Sequence, residues 1–307
     1  MNQIKKLLYL GLLMAGTHFS FGQQTPVFAE YNANPFLINP AYSGSFNGTE
    51  AVLSNSGFGS EIQNTPKNLS FSFTAPLQQG KMGLGAAVIS DEIGVTKATQ
   101  GFAAFSYKLF FDWKKNRPYW QVFDRTVLSF GVTAGVLSYN EDLLSLQIQN
   151  DANFSENINE TLPMAGLGFL FGHENFFAGI SAPNILGDTF AHSQNLNLTR
   201  PIYGYLGYHF ITNKYDPTYI MKPSVLLKHE AGAPFQVDAN ISVSYKNVIE
   251  VGAGFRSSSS LNLFAGLYAF KNFRVLYNYS SANADSPLGN FHGIVLNYRG
   301  GRGFAFD

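Results

Sequence analysis

The chain contains no cysteine, and charged side chains make up only 13% of its 307 residues. The first absence excludes disulfides, thiolate metal sites and the acylated N-terminal cysteine of a lipoprotein. The second lies well below the usual charged share of about 25%, which leaves too little charge to cover an ordinary water-facing surface. Lys+Arg 20 balances Asp+Glu 20, so no basic or acidic field points to nucleic acid or an anionic surface as partner. Long apolar runs are missing as well. The longest, LLYLGLLMAG from Leu7, is far shorter than the ~20 residues that a spanning helix needs. Catalytic spacing is also absent. His18, His173, His192, His209, His229 and His292 never approach ligand spacing, and His173-Glu174 lacks the second histidine of a zincin motif. Gly83-Leu84-Gly85 and Gly252-Ala253-Gly254 precede no helix, so they are not phosphate cradles; glycines there let a strand wall bend or pack closely. We therefore expect no catalytic residue, cofactor or metal.

What is present is alternation. In FQVDANISVSY, Phe235, Val237, Ala239, Ile241, Val243 and Tyr245 fall on one face of an extended strand, and Gln236, Asp238, Asn240, Ser242 and Ser244 on the other. The pattern recurs from residue 50 onward. Leu69, Phe71 and Phe73 oppose Ser70, Ser72 and Thr74; Ile249, Val251, Ala253 and Phe255 oppose Glu250, Gly252, Gly254 and Arg256. No further segment is available to cover so much apolar face, so the fold expected is an all-β transmembrane antiparallel up-and-down barrel of about 14 strands, apolar outside and polar inside. Aromatics at 15% suit the girdles that barrels place at the two membrane interfaces, with Tyr245, Phe270 and Tyr298 as anchors.

Three regions are expected. Residues 1–22, with Lys5, Lys6, a short apolar run and small residues before Gln23, read as a cleaved export signal. Residues 23–48 break both periodicities with Pro26, Pro35 and Pro40 and several asparagines, yet Phe28, Tyr31, Phe36, Leu37, Ile38 and Tyr42 are too apolar for a free tail. This stretch reads either as an ordered plug or periplasmic cap, or as a plain strap along the barrel mouth. Residues 49–307 form the barrel, with residues 91–98 as one of its longer connections. Short connections and long ones alternate. The polar loops 141–161 and 183–199 are expected on the outer face, with Phe154 and Phe190 as contact aromatics, and the chain ends on the periplasmic side. Asp238, Glu250, Arg256 and Arg274 fall on inward faces. They read either as a pore lining or docking surface, or as ion pairs that fill the lumen, since desolvated charges need partners.

The stretch AEYNANPFLINPAYSGS resembles the opening of the PorP/SprF family of type IX secretion and gliding-motility outer-membrane proteins, in which an Asn-Pro pair is followed closely by Asn-Pro-Ala-Tyr. GKMGLGAAVISDEIG (80–94), NFFAGISAPNIL (175–186) and MKPSVLLKHEAGAPFQVDANISVSYKN (221–247) resemble its later blocks in the same order. The chain departs from the family at 110–124, a longer basic and aromatic turn, and beyond Tyr298, where it runs on through GGRGFAFD. The resemblance implies a non-enzymatic barrel of the Bacteroidota outer membrane, with lipid around it. Its implied partners are components of the secretion machinery or the C-terminal domain of a large surface adhesin. It carries no list of functional residues, so Asn34, Pro35, Asn39, Pro40, Ala41 and Tyr42 are put forward as plug or partner contacts from the chain itself. The alternative is a channel, or a transporter of hydrophobic small molecules with an N-terminal hatch.

Overall fold

The computed structural model describes residues 31–46, 48–59, 65–113, 122–148, 151, 154–186, 200–212, 217–257, 260–282 and 290–304. The export signal, the start of the N-terminal segment, most of the 110–124 turn and Phe190 lie outside the described residues.

Fourteen strands form one sheet: β1 (Glu50–Phe58), β2 (Lys67–Leu77), β3 (Met82–Ile93), β4 (Thr96–Phe111), β5 (Phe123–Glu141), β6 (Ile158–Glu174), β7 (Phe176–Ala182), β8 in two pieces (Ile202–Tyr208 and Phe210–Ile211), β9 (Tyr219–His229), β10 (Gln236–Tyr245), β11 (Ile249–Arg256), β12 (Ser260–Ala269), β13 (Phe273–Ala282) and β14 (Phe291–Arg299). Each is antiparallel to its neighbours in the chain, and β14 pairs with β1, Arg299 opposite Glu50, so the sheet closes. Closure pairs the first strand with the last, the condition for spanning lipid with strands. His209 interrupts β8, where its N–H turns to the Asn175 carbonyl (2.9 Å) instead of the next strand.

Sidedness follows the alternation. On β2, Leu69, Phe71 and Phe73 are exposed while Ser70, Ser72 and Thr74 are buried; on β10, Ile241 and Tyr245 point out while Gln236, Asp238, Ser242 and Ser244 point in. The outward row makes an apolar band, with Leu53, Leu84, Val132, Val136, Leu206, Val251, Leu263 and Leu296 all exposed. At the end of the barrel that carries both Glu50 and Arg299, here the near end, aromatics gather in touching pairs. Tyr208 packs on Phe210, Tyr219 on Tyr245 and Phe273 on Tyr298, with ring centres 4.6, 5.2 and 4.9 Å apart. Phe270 at a near-end turn is 90% exposed. An amphipathic ring stable at the lipid–water boundary accounts for this girdle.

Two connections differ from the sequence reading. Residues 91–98 are not a long loop: β3 runs to Ile93 and β4 begins at Thr96, with Gly94 in the left-handed region (φ 61°) between them. Asp91 stays in the wall because its side chain turns inward toward Asn68. The expected loop 141–161 is shorter, because Ser138 to Glu141 pair with Thr161 to Ile158 as the polar tops of β5 and β6. These positions sit above the apolar band, so they lose its alternation while keeping the backbone ladder. The two longest connections, 142–157 and 183–201, are both at the far end, while 175, 246–248 and 270–272 at the near end are tight.

Candidate functional site: the filled lumen

Residues 31–46 lie inside the barrel as an irregular segment. Its two Asn-Pro pairs each open a single 3-10 turn, Pro35–Leu37 and Pro40–Tyr42, because proline fixes φ and needs no N–H partner at a helical start. Asn39 caps the second turn by accepting the Ala41 N–H at 2.8 Å, and Ser43 closes it by donating to the Pro40 carbonyl at 2.8 Å.

An irregular segment leaves carbonyls without ladder partners, and inside a barrel the wall must supply donors. It does so from named inward positions. Ser181 donates to the Ile38 carbonyl (2.6 Å), Ser129 to Ala41 (2.7 Å) and Ser106 to Ser43 (2.7 Å). Lys108 donates to the carbonyls of both Ser43 and Gly44, at 2.8 and 2.6 Å. In the other direction, Asn34 donates to Ser72 (2.9 Å), and Asn39 to the Phe169 carbonyl (2.9 Å) and the Tyr205 hydroxyl (3.2 Å). Burial pushes the Tyr42 phenol above its usual pKa, against the opposing pull of its hydrogen bond to Tyr205.

The wall is also shaped to receive the segment. A Cβ at Gly131 would stand 2.7 Å from the Ala41 Cα, one at Gly85 would meet the Phe36 ring at 2.5 Å, and one at Gly168 would press on Asn39 and Pro40. Phe36 and Leu37 then bury against Ala87, Ile89, Phe102, Ala104, Leu137 and Met164, and Tyr31, Ile38 and Ala41 against Leu170, Tyr203, Tyr205 and Leu226. Asn34, Pro40, Ala41 and their neighbours are thus turned to the wall, and Tyr42 packs on Tyr205, ring centres 5.7 Å apart.

The other side of the lumen, lined by β9 to β14 and β1, receives the start of the segment, with Tyr31 accepting from Asn240 (2.7 Å) and Ala33 packed on Val52, Leu276 and Val295, and beside it carries charge in two tiers. Toward the far end, Arg256 grips Asp238 with Nε and Nη2 at 2.9 and 2.8 Å, Gln236 adds a bond to Asp238 at 2.8 Å, and Lys228 pairs with Glu230 at 3.0 Å. Toward the near end, Glu250 accepts from Arg274 (2.7 Å), Ser242 (2.8 Å) and Tyr268 (2.5 Å), with Lys222 at 3.3 Å; beside it Arg299 pairs with Glu50 at 2.8 Å. Asp238, Glu250, Arg256 and Arg274 are all buried. Each is therefore compensated, which a low-dielectric site requires. The structure brings the four charges named from sequence together as two pairs, and adds Lys222, Tyr268, Glu50 and Arg299. It also adds Lys108 and the three wall serines, which strand parity marks as inward without saying what they hold. Phe154, in the far-end connection, is half-buried. Among the described residues no group of His, Asp and Glu is arranged to hold a metal ion.

A closed antiparallel barrel with an apolar belt and a filled lumen defines an outer-membrane β-barrel protein. The chain belongs to the family of type IX secretion system membrane proteins PorP/SprF, whose model matches residues 20–298. That is a secretion-system barrel family, not an enzyme family. No curated protein sequence matches the chain. Among solved structures it is similar to the Acinetobacter baumannii outer membrane protein Omp33 (9% identity, 82% of this chain and 98% of that one, TM-score 0.44). It is also similar to a deletion mutant of the monoaromatic hydrocarbon channel TodX (10% identity, 86% and 93%, TM-score 0.48) and to the Escherichia coli outer membrane phospholipase A (8%, 87% and 95%, TM-score 0.35). At these scores none of the three bears on what this chain does.

Proposed function

We propose that this protein is a docking barrel: it holds, or helps to export, the C-terminal domain of a large surface adhesin handled by the type IX machinery, and contacts secretion-ring proteins from the periplasm. On this reading residues 1–22 are removed on export, residues 23–48 are the plug, residues 49–307 the barrel, and the near end with both chain ends faces the periplasm. The single observation that supports it is the filling of the lumen. A conduit for solutes needs an open path or an apolar pocket between hatch and wall. Here the described lumen is occupied by a segment bonded to the wall at Ser106, Lys108, Ser129 and Ser181, and by ion pairs along the rest of the inner wall. Because Asn34, Asn39 and Tyr42 are buried against the wall, the surface offered to a partner in this state is the far-end connections, with Phe154 and Phe190 as candidate contacts, and the near-end rim.

The test is affinity purification of the tagged protein from its native outer membrane, with mass spectrometry of what stays bound. Recovery of an adhesin C-terminal domain or of secretion-ring proteins is the expected result. If the protein comes out alone, and conducts ions or takes up a hydrophobic ligand in liposomes, the transport reading replaces this one.

A further inference from the structure

The chain does not stop at the last wall strand. After Arg299, residues 300–304 turn back under the near end. The Phe304 N–H donates to the Lys271 carbonyl (2.7 Å), and the Asn247 side chain donates to the Phe304 carbonyl (2.9 Å). The Phe304 ring stands edge-on to Tyr268, ring centres 5.3 Å apart, so it covers the residue that donates to Glu250. The Arg299 guanidinium touches two rings, 3.5 Å from the centre of Phe46 and 4.3 Å from that of Phe304, while pairing with Glu50. A cation held by two aromatic faces and a carboxylate is a strong local contact.

Phe46 ends the described stretch 31–46 inside the barrel, and residues 46–49 link it to β1. The tail is seated on that link. The Gly300 N–H donates to the Thr49 carbonyl (2.7 Å), and any side chain on Gly48 would run into the Gly300 carbonyl. Gly303 takes a left-handed conformation (φ 67°) that lets the tail press its backbone onto Lys271. The family match ends at residue 298, so this tail lies beyond it.

We propose that residues 300–304 are a latch on the plug. To leave the lumen the plug must turn about residues 46–49, and that turn has to separate Phe46 from Arg299 and Thr49 from Gly300. Arg299 is fixed in β14, and Phe304 screens one side of its guanidinium from water. Releasing the tail therefore weakens the hold on Phe46 and frees the link. The plain alternative is that the tail only finishes the packing of the rim and leaves the plug's stability untouched.

The experiment compares the full-length barrel, reconstituted in lipid bilayers, with a chain lacking residues 300–307 and with Phe304→Ala. Hydrogen exchange is read at the Ser43 and Ser45 amides, which donate within the plug to the Pro40 and Tyr42 carbonyls. Both variants are expected to exchange there roughly tenfold faster, with β2 and β3 amides unchanged, and to show channel openings that the parent lacks. Unchanged exchange at Ser43 and Ser45 in a folded variant overturns the latch. If the deletion fails to assemble, Phe304→Ala decides the question alone, the barrel's folded state being checked by its heat-dependent shift on a denaturing gel.

Discussion

The lumen is filled by two different means, and the contrast shows what a barrel interior demands. On the side of β2 to β8 a peptide segment passes through, and the wall answers it with small residues and hydroxyls. Gly85, Gly131 and Gly168 yield space, while Ser106, Ser129 and Ser181 meet the orphan carbonyls. On the side of β9 to β14 the segment reaches the wall through Tyr31 to Ala33, the Tyr31 hydroxyl accepting from Asn240 and Ala33 packing on Val52, Leu276 and Val295, and beyond them side chains must meet one another. Long charged groups lie along the inner wall and cancel in pairs, Arg256 with Asp238 directly opposite on the neighbouring strand and Arg274 with Glu250 two strands away. Where backbone is the guest, the wall must donate; where side chains are the filling, charge must balance.

The comparison can be broken most sharply on the charged side. Arg256→Met leaves Asp238 buried without its guanidinium, and breaking such a pair costs about 3–5 kcal/mol. The measurement is the urea midpoint of barrel unfolding. A double variant, Arg256→Met with Asp238→Leu, should recover most of the loss, and a single variant no worse than the double one would show that the pair is inert. On the plug side the comparison is broken by overpacking. Gly168→Val drives side-chain atoms into Asn39 and Pro40, which costs about 1–3 kcal/mol. The same change in a barrel lacking residues 31–46 should cost much less, and equal losses in both would show that the glycine serves the wall instead of the plug.

Smaller effects sharpen the difference. Lys108→Met removes the cation from the Ser43 and Gly44 carbonyls and should destabilise the plug by roughly 1.5–3 kcal/mol, the range for hydrogen bonds to charged groups, seen as faster exchange at Ser45 without a shift in the unfolding midpoint of β9 to β14. Asn39→Ala frees the Phe169 carbonyl and the Tyr205 hydroxyl and should cost about 1–3 kcal/mol by the same assay. Last comes an ion pair outside the lumen. Arg125 and Asp112 meet at 3.0 Å with side chains 46% and 62% exposed, so Arg125→Gln should change stability by less than about 1 kcal/mol. A loss there as large as that of Arg256→Met would mean that burial does not set the worth of these pairs.

Much of the wall was legible because the period of two is written into each strand. Leu69-Ser70-Phe71-Ser72-Phe73 has one reading in lipid, and the inward position of Asp238, Glu250, Arg256 and Arg274 follows from the same count. Residues 91–98 were misread because their polar composition suggests a loop, while inward-facing Asp91 is ordinary wall and Gly94 alone supplies the turn. The tops of β5 and β6 were misread for a related reason: outside the lipid band, backbone pairing continues without an apolar face to announce it.

By itself, then, the sequence determined the strand wall, its sidedness, the apolar belt and the family to which the chain belongs, because each is a local regularity repeated many times. Only the tertiary structure decided what fills the lumen. That Lys108 holds Ser43 and Gly44, that Asn39 reaches Tyr205, and that Arg299 joins Phe46 to Phe304 depends on residues up to 258 positions apart in the chain. Such contacts are set by the closure of the barrel, which fixes which inward positions face one another across the lumen, and no periodicity along a single strand carries that information.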